Sequence, residues 1–339
     1  MKKVMILAEC GSEVRQQLAE RFGGKCELIY PEGKPVSEEL LQRLDAVIGE
    51  PEREEILAMP SLQWIQITWA GADKYVRMKD VLSGITLTNV SGAFGTIIAE
   101  YVIGSVIAMY RSFSKYYENQ KRHVWKKCDH AVTLAGKNAL ILGTGDIGRN
   151  IASRLKAFGV STIGIRRHES SVCDAAGVSC SHSVSVTNRS REFPMFDRLD
   201  TSDHLDAYLP EADLVIGCLP RTPDTTGLMS RERLALMKPD ASFVNVGRGN
   251  LVRSMDLTDA LQAGALGGAI LDVFETEPLP EDSPLWDMEN VMITPHIAGP
   301  SFGGNQQVQD TIWEICMENL ERFLNQEPLQ HVVDLNAGY

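Results

Sequence analysis

The segment NALILGTGDIGRNIASRLKAFG, residues 138–159, decides the fold. It begins with a short apolar run from Ala139 to Leu142, which is typical of a buried strand. Glycines in the spacing G-x-G-x-x-G follow directly at Gly143, Gly145 and Gly148. Apolar residues then recur at helical intervals at Ile151, Leu155 and Phe158. The segment is therefore predicted to be a strand, a tight glycine turn and a helix.

The glycine turn has the properties of an anion site. Gly143 permits the tight turn, Gly145 lets the main chain approach a pyrophosphate, and Gly148 lets the helix pack close to the strand. Free N–H groups at the start of the helix would face the anion. This context predicts a dinucleotide-binding unit, and a purely structural turn is the alternative.

Short apolar runs alternate with amphipathic segments before this unit. The runs predicted as strands are residues 2–9, 46–50, 63–68 and 85–90. The segments predicted as helices are residues 11–23 and 37–44. This alternation predicts an α/β fold with a parallel sheet.

Residues 96–125 form a long helical pattern rich in apolar and aromatic residues. A helix of this kind could bridge two domains or pair two subunits. A core helix within one domain is the alternative.

Composition limits the classes of protein to which the chain can belong. With 339 residues, of which 44% are hydrophobic, it is long enough for two hydrophobic cores. The net charge of −12 argues against a nucleic-acid partner, which needs clustered Lys and Arg. We expect no signal peptide or membrane span, because the apolar runs are too short. Seven scattered cysteines, an odd number, suit a reducing compartment and predict a cytoplasmic protein.

Positive charge follows the second strand of the dinucleotide unit. The run STIGIRRH places Arg166 and Arg167 about 20 residues after the glycines. An acid at this point would hold the ribose hydroxyls of NAD, whereas an arginine accommodates the 2′-phosphate of NADP. The pair therefore favours NADP(H), with NAD(H) as the alternative cofactor. A solvated strand end is the alternative interpretation of both arginines.

The Ser-rich segment that follows, residues 169–194, has no helical period and is predicted to be an extended loop. Cys173, Cys180 and His182 lie in it, but their spacing matches no zinc pattern. We therefore expect no metal site.

Three polar residues follow apolar runs further along the chain. Arg248, Glu277 and His296 each come just past the end of a predicted strand, where doubly wound sheets place their ligands. A 2-keto acid needs a cation for its carboxylate and carbonyl oxygen, and a proton donor for the alkoxide formed when a hydride reaches C2. Arg248 and His296 suit those tasks. A carboxylate beside the imidazole, here Glu277, would favour the protonated ring and orient it.

The chain resembles the D-isomer-specific 2-hydroxyacid dehydrogenase family over nearly its whole length. The motifs that carry the resemblance occur in the family's order: LQWIQITWAGADKY, TNVSG followed by AE, GTGDIG, CLPRTPDTTGLM, VNVGRGNLV, LDVFETEPLP and TPHIAG.

The resemblance implies a role for each matching residue. Arg248 would bind substrate, Glu277 would tune the histidine, and His296 would be the catalytic acid and base. The N–H groups around Ala70 and Gly71 would hold the substrate carboxylate beside Trp69, whose alternative role is packing. The residues implied to line the cofactor are Gly143, Thr144, Gly145, Asp146, Ile147, Gly148, Arg166, Arg167, Cys218, Leu219, Pro220, Thr222, Val246, Gly247 and Asp272. Cys218 is expected to be a small strand residue without reactivity.

The resemblance also implies the architecture, which is two Rossmann-like domains. Residues 1–98 and 300–339 would form a discontinuous flavodoxin-like substrate domain, and residues 99–299 a doubly wound, parallel-sheet NAD(P)-binding domain. Homodimerisation through the cofactor domains would give the helix after Thr96 a partner surface.

The implied activity is reduction of a small 2-keto acid to a D-2-hydroxy acid. Glyoxylate and hydroxypyruvate are the favoured substrates, because NADP use and a compact TWAGAD loop suit a small 2-keto acid. A phosphoglycerate enzyme is disfavoured, since we expect no regulatory domain after the catalytic unit. Formate dehydrogenase is disfavoured, since its family has Gln in place of the Glu. A nucleotide-sensing corepressor-like binding protein on the same fold is the alternative function.

Overall fold

A computed structural model describes residues 1–31, 33, 36–128, 131–167, 195–300 and 304–339. Internal contacts divide the chain into two compact units. The first contains Met1–Ala93 and Pro300–Tyr339, and the second contains the described residues from Phe94 to Gly299. The predicted Ser-rich loop, with Cys173, Cys180 and His182, lies outside the described residues.

A five-stranded sheet forms the centre of the first unit. Its strands are β1 (Lys2–Ile6), β2 (Cys26–Ile29), β3 (Ala46–Ile48), β4 (Trp64–Gln66) and β5 (Thr86–Thr88). All neighbours are parallel, in the order β2-β1-β3-β4-β5. This is the doubly wound order of flavodoxin-like folds, so the predicted fold class is confirmed for this unit. Strand β2 was not predicted from the sequence.

Helices cover this sheet and connect its strands. They are α1 (Ser12–Phe22), α2 (Glu38–Leu41), α3 (Arg53–Leu57), α4 (Asp73–Val76) and a C-terminal helix, Gln306–Asn325. The predicted helices at 11–23 and 37–44 correspond to α1 and to the single turn α2. In α1, Leu18 and Phe22 are buried on the same side, because four residues make about one helical turn.

A buried polar network joins the C-terminal helix to the sheet of this unit. The Asn319 amide donates to the Gln66 carbonyl oxygen (2.8 Å), and that oxygen also accepts the hydroxyl of Thr88 (2.8 Å). The indole N–H of Trp64 donates to the Thr88 hydroxyl (2.8 Å). Because these buried polar atoms have partners, burial costs little and the helix position is specified.

A seven-stranded sheet forms the centre of the second unit. Its strands are β6 (Asn138–Leu142), β7 (Ser161–Arg166), β8 (Arg198–Thr201), β9 (Leu214–Gly217), β10 (Ser242–Asn245), β11 (Gly268–Leu271) and β12 (Val291–Ile293). All neighbours are parallel, in the order β12-β11-β10-β9-β6-β7-β8. The sequence prediction of a doubly wound parallel sheet is thus confirmed here as well.

The helices of the second unit precede the C-terminal helix in the chain. They are α5 (Gly95–Tyr110), α6 (Phe113–Lys121), α7 (Asp146–Ala157), α8 (Leu205–Tyr208), α9 (Arg231–Leu236) and α10 (Ser254–Gln262), so that the C-terminal helix is α11. None of the helices in the described ranges is long and apolar enough to span a membrane.

The prediction of one continuous helix over residues 96–125 is wrong. Helix α5 ends at Tyr110, and Ser112 adopts a left-handed conformation with φ 52° before α6 begins. A left-handed residue cannot continue a right-handed helix. The helix predicted to include Phe158 ends one residue earlier, because Phe158 caps α7 and is exposed, whereas Ile151 and Leu155 are buried within it.

Candidate active site

The carboxyl edge of the seven-stranded sheet gathers the predicted residues of the second unit. Parallel neighbours end at the same edge, so the segments that follow them lie side by side. These segments are 143–148 after β6, Arg166 and Arg167 at the end of β7, 218–222 after β9, 246–248 after β10, 272–277 after β11 and 294–298 after β12.

His296 and Glu277 are in direct contact at this edge. The imidazole Nδ1 lies 2.8 Å from Glu277 Oε2, and the histidine side chain is half exposed. The other oxygen of Glu277 accepts the N–H of Phe274 (2.9 Å). A carboxylate only accepts hydrogen bonds, so Nδ1 carries a proton and Nε2 is left for a substrate. This arrangement suits proton delivery when the ring is charged and proton removal when it is neutral.

Asp272 holds the loop that carries His296. Its carboxylate is 1% exposed and accepts the N–H groups of Ile297 (2.8 Å) and Ala298 (2.9 Å). Its main-chain carbonyl accepts the N–H of His296 (2.8 Å). His296 has φ 56°, a left-handed conformation that is uncommon for a residue with a side chain. These bonds compensate for that backbone cost and aim the ring.

The segment that carries Arg248 touches the segment that carries Glu277. A Cβ at Gly249 would overlap the carbonyl group of Phe274, so glycine is needed for this approach. Arg248 lies three residues after β10, and its carbonyl accepts the Asn245 amide (3.0 Å). Its own Nη1 donates to the carbonyl of Gly247 (2.9 Å). The guanidinium thus lies in the segment next to the one that pairs with His296.

The segments after β10 and β9 also pack closely. A Cβ at Gly247 would lie 2.7 Å from Leu219 N, which explains the glycine beside Val246. In the loop after β9, Thr225 donates to the carbonyl of Pro220 (2.7 Å) and accepts the N–H of Thr222 (2.9 Å). This local threonine turn fixes the loop that the resemblance places beside the cofactor.

The glycine turn has the geometry that the sequence predicts. Gly143 has φ 110°, and a Cβ at Gly148 would overlap the carbonyl oxygen of Gly143. Gly145 caps α7 without a side-chain bond, and a Cβ there would meet no described atom within 4 Å. The first N–H groups of α7 have no acceptor within the helix, and the space over Gly145 is open. The turn therefore fits a dinucleotide pyrophosphate.

The side chain of Asp146 is turned toward another helix. Its carboxylate accepts the N–H of Gly95, the first residue of α5, and the Asn150 amide (3.0 Å). Burial raises the pKa of Asp146, although Arg149 and these bonds act in the opposite direction. Asp146 and Ile147 would meet a pyrophosphate through main-chain N–H groups, together with Thr144.

Cys218 is packed into the same turn. Its thiol lies 3.2 Å from the carbonyl oxygen of Leu142, and burial raises its pKa to about 12. A thiol that keeps its proton is a poor nucleophile, so the geometry gives Cys218 a packing role.

The two arginines lie at the end of β7. Arg166 is the last residue of the strand, and Arg167 Nη2 pairs with Asp224 Oδ2 at 2.7 Å. Asp224 belongs to the threonine turn after β9. Two arginines thus occupy the chain position, at the end of the second strand, where a ribose-binding acid is found in NAD-binding units.

In the first unit, the bend after β4 presents main-chain donors. The carbonyls of Trp69 and Ala70 accept bonds from Val90 N (3.3 Å) and Asn89 Nδ2 (2.8 Å). Within the described residues, the N–H groups of Ala70 and Gly71 have no acceptor. Adjacent N–H donors in a bend bind anions such as a carboxylate. The ring of Trp69 beside them is exposed.

Two residues that support the His296 loop, one in the loop and one on α5, were missed by sequence reasoning. The hydroxyl of Thr294 donates to Asp272 Oδ1 (2.6 Å), and the Tyr101 hydroxyl on α5 lies 2.6 Å from it. Thr294 could have been found, because it is the first residue of the family motif TPHIAG. Tyr101 could not, because nothing in the helical pattern of residues 96–125 distinguishes it from its neighbours.

Comparison with known proteins identifies the family. The model of "D-isomer specific 2-hydroxyacid dehydrogenase, NAD binding domain" matches residues 103–191 and 179–298. A D-isomer specific 2-hydroxyacid dehydrogenase family protein of Aeromonas salmonicida is 32% identical, with a TM-score of 0.80, and 98% of this chain and 99% of that chain are covered.

Two further relatives have more specific names. An NADPH-dependent glyoxylate/hydroxypyruvate reductase of Sinorhizobium meliloti, solved with NADP and sulfate, is 28% identical with a TM-score of 0.76 over 100% of both chains. A glycerate dehydrogenase of Methylorubrum extorquens is 28% identical over 88% of each chain. The extent of the family match and the 32% identity over almost the full length of a solved member leave one conclusion: this chain belongs to the D-isomer specific 2-hydroxyacid dehydrogenase family.

Proposed function

We propose that this chain reduces a small 2-keto acid to a D-2-hydroxy acid with NAD(P)H, in a reversible reaction. The observation that carries the proposal is the contact between His296 and Glu277, whose Nδ1 and Oε2 atoms lie 2.8 Å apart. The pair lies at the same edge of the sheet as the glycine turn. Family membership supports the same chemistry. No described feature favours the corepressor-like alternative.

His296 is the proposed acid and base. Bound NAD(P)H would supply a hydride to C2 of the keto acid. Nε2 of the charged imidazole then donates its proton to the oxygen on C2, and Glu277 stabilises the positive ring until that transfer. In the reverse direction, the neutral ring accepts the hydroxyl proton. One proton and one hydride thus account for the two hydrogens gained by the keto group.

Arg248 and the bend at Ala70 and Gly71 are the proposed anion-binding groups. The guanidinium of Arg248 would attract the substrate carboxylate and the oxygen on which negative charge develops. The N–H groups of Ala70 and Gly71 would hold carboxylate oxygens, supported by their lack of acceptors among the described residues. We propose residues 1–98 and 300–339 as the substrate domain and residues 99–299 as the cofactor domain.

Glyoxylate and hydroxypyruvate are the proposed substrates. The names of the Sinorhizobium meliloti reductase and the Methylorubrum extorquens glycerate dehydrogenase support this class. The test is oxidation of NADPH, followed at the nicotinamide absorbance band, with a panel of 2-keto acids from glyoxylate to phenylpyruvate. We expect turnover with the small members. Absence of oxidation with every acid and either cofactor would refute the proposal.

His296→Asn supplies the matched control for this assay. It should abolish turnover, while the dissociation constant for NADPH, measured by nicotinamide fluorescence, should change less than about twofold, because proton transfer belongs to the chemical step. Unchanged turnover in His296→Asn would show that another group delivers the proton.

NADP(H) is the proposed preferred cofactor. Arg166 and Arg167 would provide two positive charges at the end of β7, and each could form charge-assisted bonds to a 2′-phosphate. Arg167 would exchange its exposed partner Asp224 for the phosphate, at small cost. Three structures of similar proteins contain NADP or NADPH, which supports this choice.

The preference is tested by the double variant Arg166→Asp with Arg167→Ser. Loss of the charge-assisted bonds should raise the Michaelis constant for NADPH by about 100-fold and change that for NADH by less than about threefold. Arg231→Ser is the control, because Arg231 forms its ion pairs with Asp256 and Asp259. Equal changes for the two cofactors would contradict the preference.

A second copy of the chain is the proposed partner. Helix α6 and the segment after it expose Phe113, Tyr117 and Trp125, the last completely. The segment is held by bonds from Cys128 N to the Tyr116 hydroxyl (3.0 Å) and from Val124 N to the Asn119 carbonyl (2.9 Å). Aromatic side chains held in place but exposed to water are typical of interfaces.

We propose a cytoplasmic location, supported by the odd number of cysteines.

A further inference from the structure

A chain of hydroxyl groups connects helix α5 to the loop that carries His296. The Tyr101 hydroxyl lies 2.6 Å from Thr294 Oγ1, which in turn lies 2.6 Å from Asp272 Oδ1. An ionised carboxylate accepts and cannot donate, so the single hydroxyl proton of Thr294 points to Asp272. The oxygen of Thr294 can then only accept from Tyr101. The direction of both bonds is thereby determined.

Tyr101 is suited to remain a donor. Burial raises the pKa of Tyr101 and the negative charge of Asp272 adds to this effect, which together outweigh the opposite effect of its hydrogen bonds with Thr294 and Ser105. The phenol therefore keeps its proton. Its bond polarises the Thr294 hydroxyl and strengthens the bond that this hydroxyl gives to Asp272, since consecutive hydrogen bonds reinforce one another.

Asp272 transmits this arrangement to the histidine. Four bonds connect Asp272 to residues 294–298: one from the Thr294 hydroxyl and one each from the N–H groups of His296, Ile297 and Ala298. His296 itself has the strained φ of 56°. An uncommon conformation persists only where its surroundings over-determine it, so each bond to this loop helps to hold the imidazole beside Glu277.

We propose that Tyr101 and Thr294 are positioning residues for His296, acting through Asp272. The inference rests on the proposed function, in which His296 delivers the proton. The inference adds two side chains that act through Asp272. Tyr101 is 193 residues away from Thr294 in sequence, although their hydroxyl groups are in contact. A displaced imidazole would transfer its proton less often in the correct geometry.

The test compares variants of Tyr101 and Thr294 that lose a hydroxyl group with one that keeps it. Tyr101→Phe removes one hydroxyl and should lower kcat about fivefold, the size expected for one hydrogen bond. Thr294→Val removes the bond to the buried charge and should lower kcat by about 30-fold or more. Thr294→Ser keeps the hydroxyl and should retain kcat within about twofold of the original. The Michaelis constant for NADPH should stay within about twofold in all three, a split that general loss of folding would not produce.

Tyr110→Phe is the matched control. Tyr110 lies on the same helix, is buried to a similar degree and bonds to Ser242. It should leave kcat unchanged. Equal losses in Tyr101→Phe and Tyr110→Phe, an unchanged kcat in Tyr101→Phe, or failure of Thr294→Ser to retain activity would each overturn the proposal.

A second measurement separates this proposal from the proposed reaction. The ring signal of His296, assigned by comparison with His296→Gln, is followed by NMR without substrate. Tyr101→Phe should shift or broaden this signal, and Tyr110→Phe should not. If the unmodified protein oxidises no cofactor but Tyr101→Phe still perturbs the ring, only the reaction assignment fails. If the unmodified protein is active and the ring is unperturbed, the positioning role fails.

Discussion

At the scale of single residues, both carboxylate oxygens of Glu277 already have hydrogen-bond partners. One carboxylate oxygen accepts the N–H of Phe274 and the other pairs with Nδ1 of His296. Both partners are donors, so the site needs an acceptor at both positions. An amide offers one acceptor and one donor. Glutamate is therefore required by hydrogen bonding as well as by charge.

The first prediction follows from this geometry. Glu277→Gln places an NH2 group against either the Phe274 N–H or the imidazole, and it removes the charge that stabilises the protonated ring. We expect kcat to fall by roughly 10- to 100-fold, a part of the full contribution of general acid catalysis. Steady-state kinetics with NADPH and the best keto acid measure this change.

Glu275→Gln is the control for Glu277→Gln. Glu275 lies two residues earlier and is exposed, and its carboxylate accepts the N–H of Ser254 (3.0 Å). It should leave kcat within about twofold of the original. A similar loss in both variants would mean that the negative charge of the whole segment matters and not the pairing of Glu277.

At the scale of elements, α5 begins against the glycine turn. A Cβ at Gly95 would overlap Asp146 Oδ2 and Asn150 Nδ2, so the first residue of α5 has to be glycine if Asp146 is to accept its N–H. Gly104, in the middle of the same helix, has open space where a Cβ would stand. One substitution thus has opposite expected effects at two positions of one helix.

The second prediction uses this pair. Gly95→Ala should lower the free energy of unfolding by about 1–3 kcal/mol, because the methyl group displaces the carboxylate or the helix. Gly104→Ala should raise it by about 0.5–1 kcal/mol, because alanine restricts the unfolded chain and favours helix. Denaturant unfolding followed by circular dichroism measures both. Stabilisation by Gly95→Ala would show that the Asp146 contact is dispensable.

The elements themselves were predictable where the apolar period and the turn residues agree. The glycine turn predicted β6 and α7, because Gly143 and Gly148 each have a steric reason to be glycine in the structure. The break at Ser112 was not predictable, since the apolar pattern of residues 96–125 continues through it and serine is not a typical left-handed residue. Strand β2 was missed because CELI has no clear alternation of apolar and polar residues.

At the scale of the whole molecule, the candidate site is assembled from segments that are distant in sequence. The position of Arg248, Glu277 and His296 at one sheet edge was predictable, because each follows a strand and parallel strands end at the same edge. The link from Tyr101 to Thr294 was not predictable, since it joins a helix face to a loop. A hydrogen bond between such elements depends on how the helix packs, which local pattern does not specify.

The last prediction concerns assembly. Trp125 and Tyr117 expose large aromatic surfaces, and burying them against a second copy would remove roughly 150–250 Å² each from water. If the protein is a dimer through this segment, Trp125→Ser with Tyr117→Ser should weaken the dimer by about 100-fold or more, the effect expected for interface aromatic residues. Analytical ultracentrifugation over a concentration series measures the dissociation constant.

Trp286→Ser is the control, because Trp286 is exposed on the same unit but bonds to the Pro280 carbonyl (2.9 Å). A monomeric unmodified protein, or a dimer that both variants leave intact, would exclude this surface as the interface.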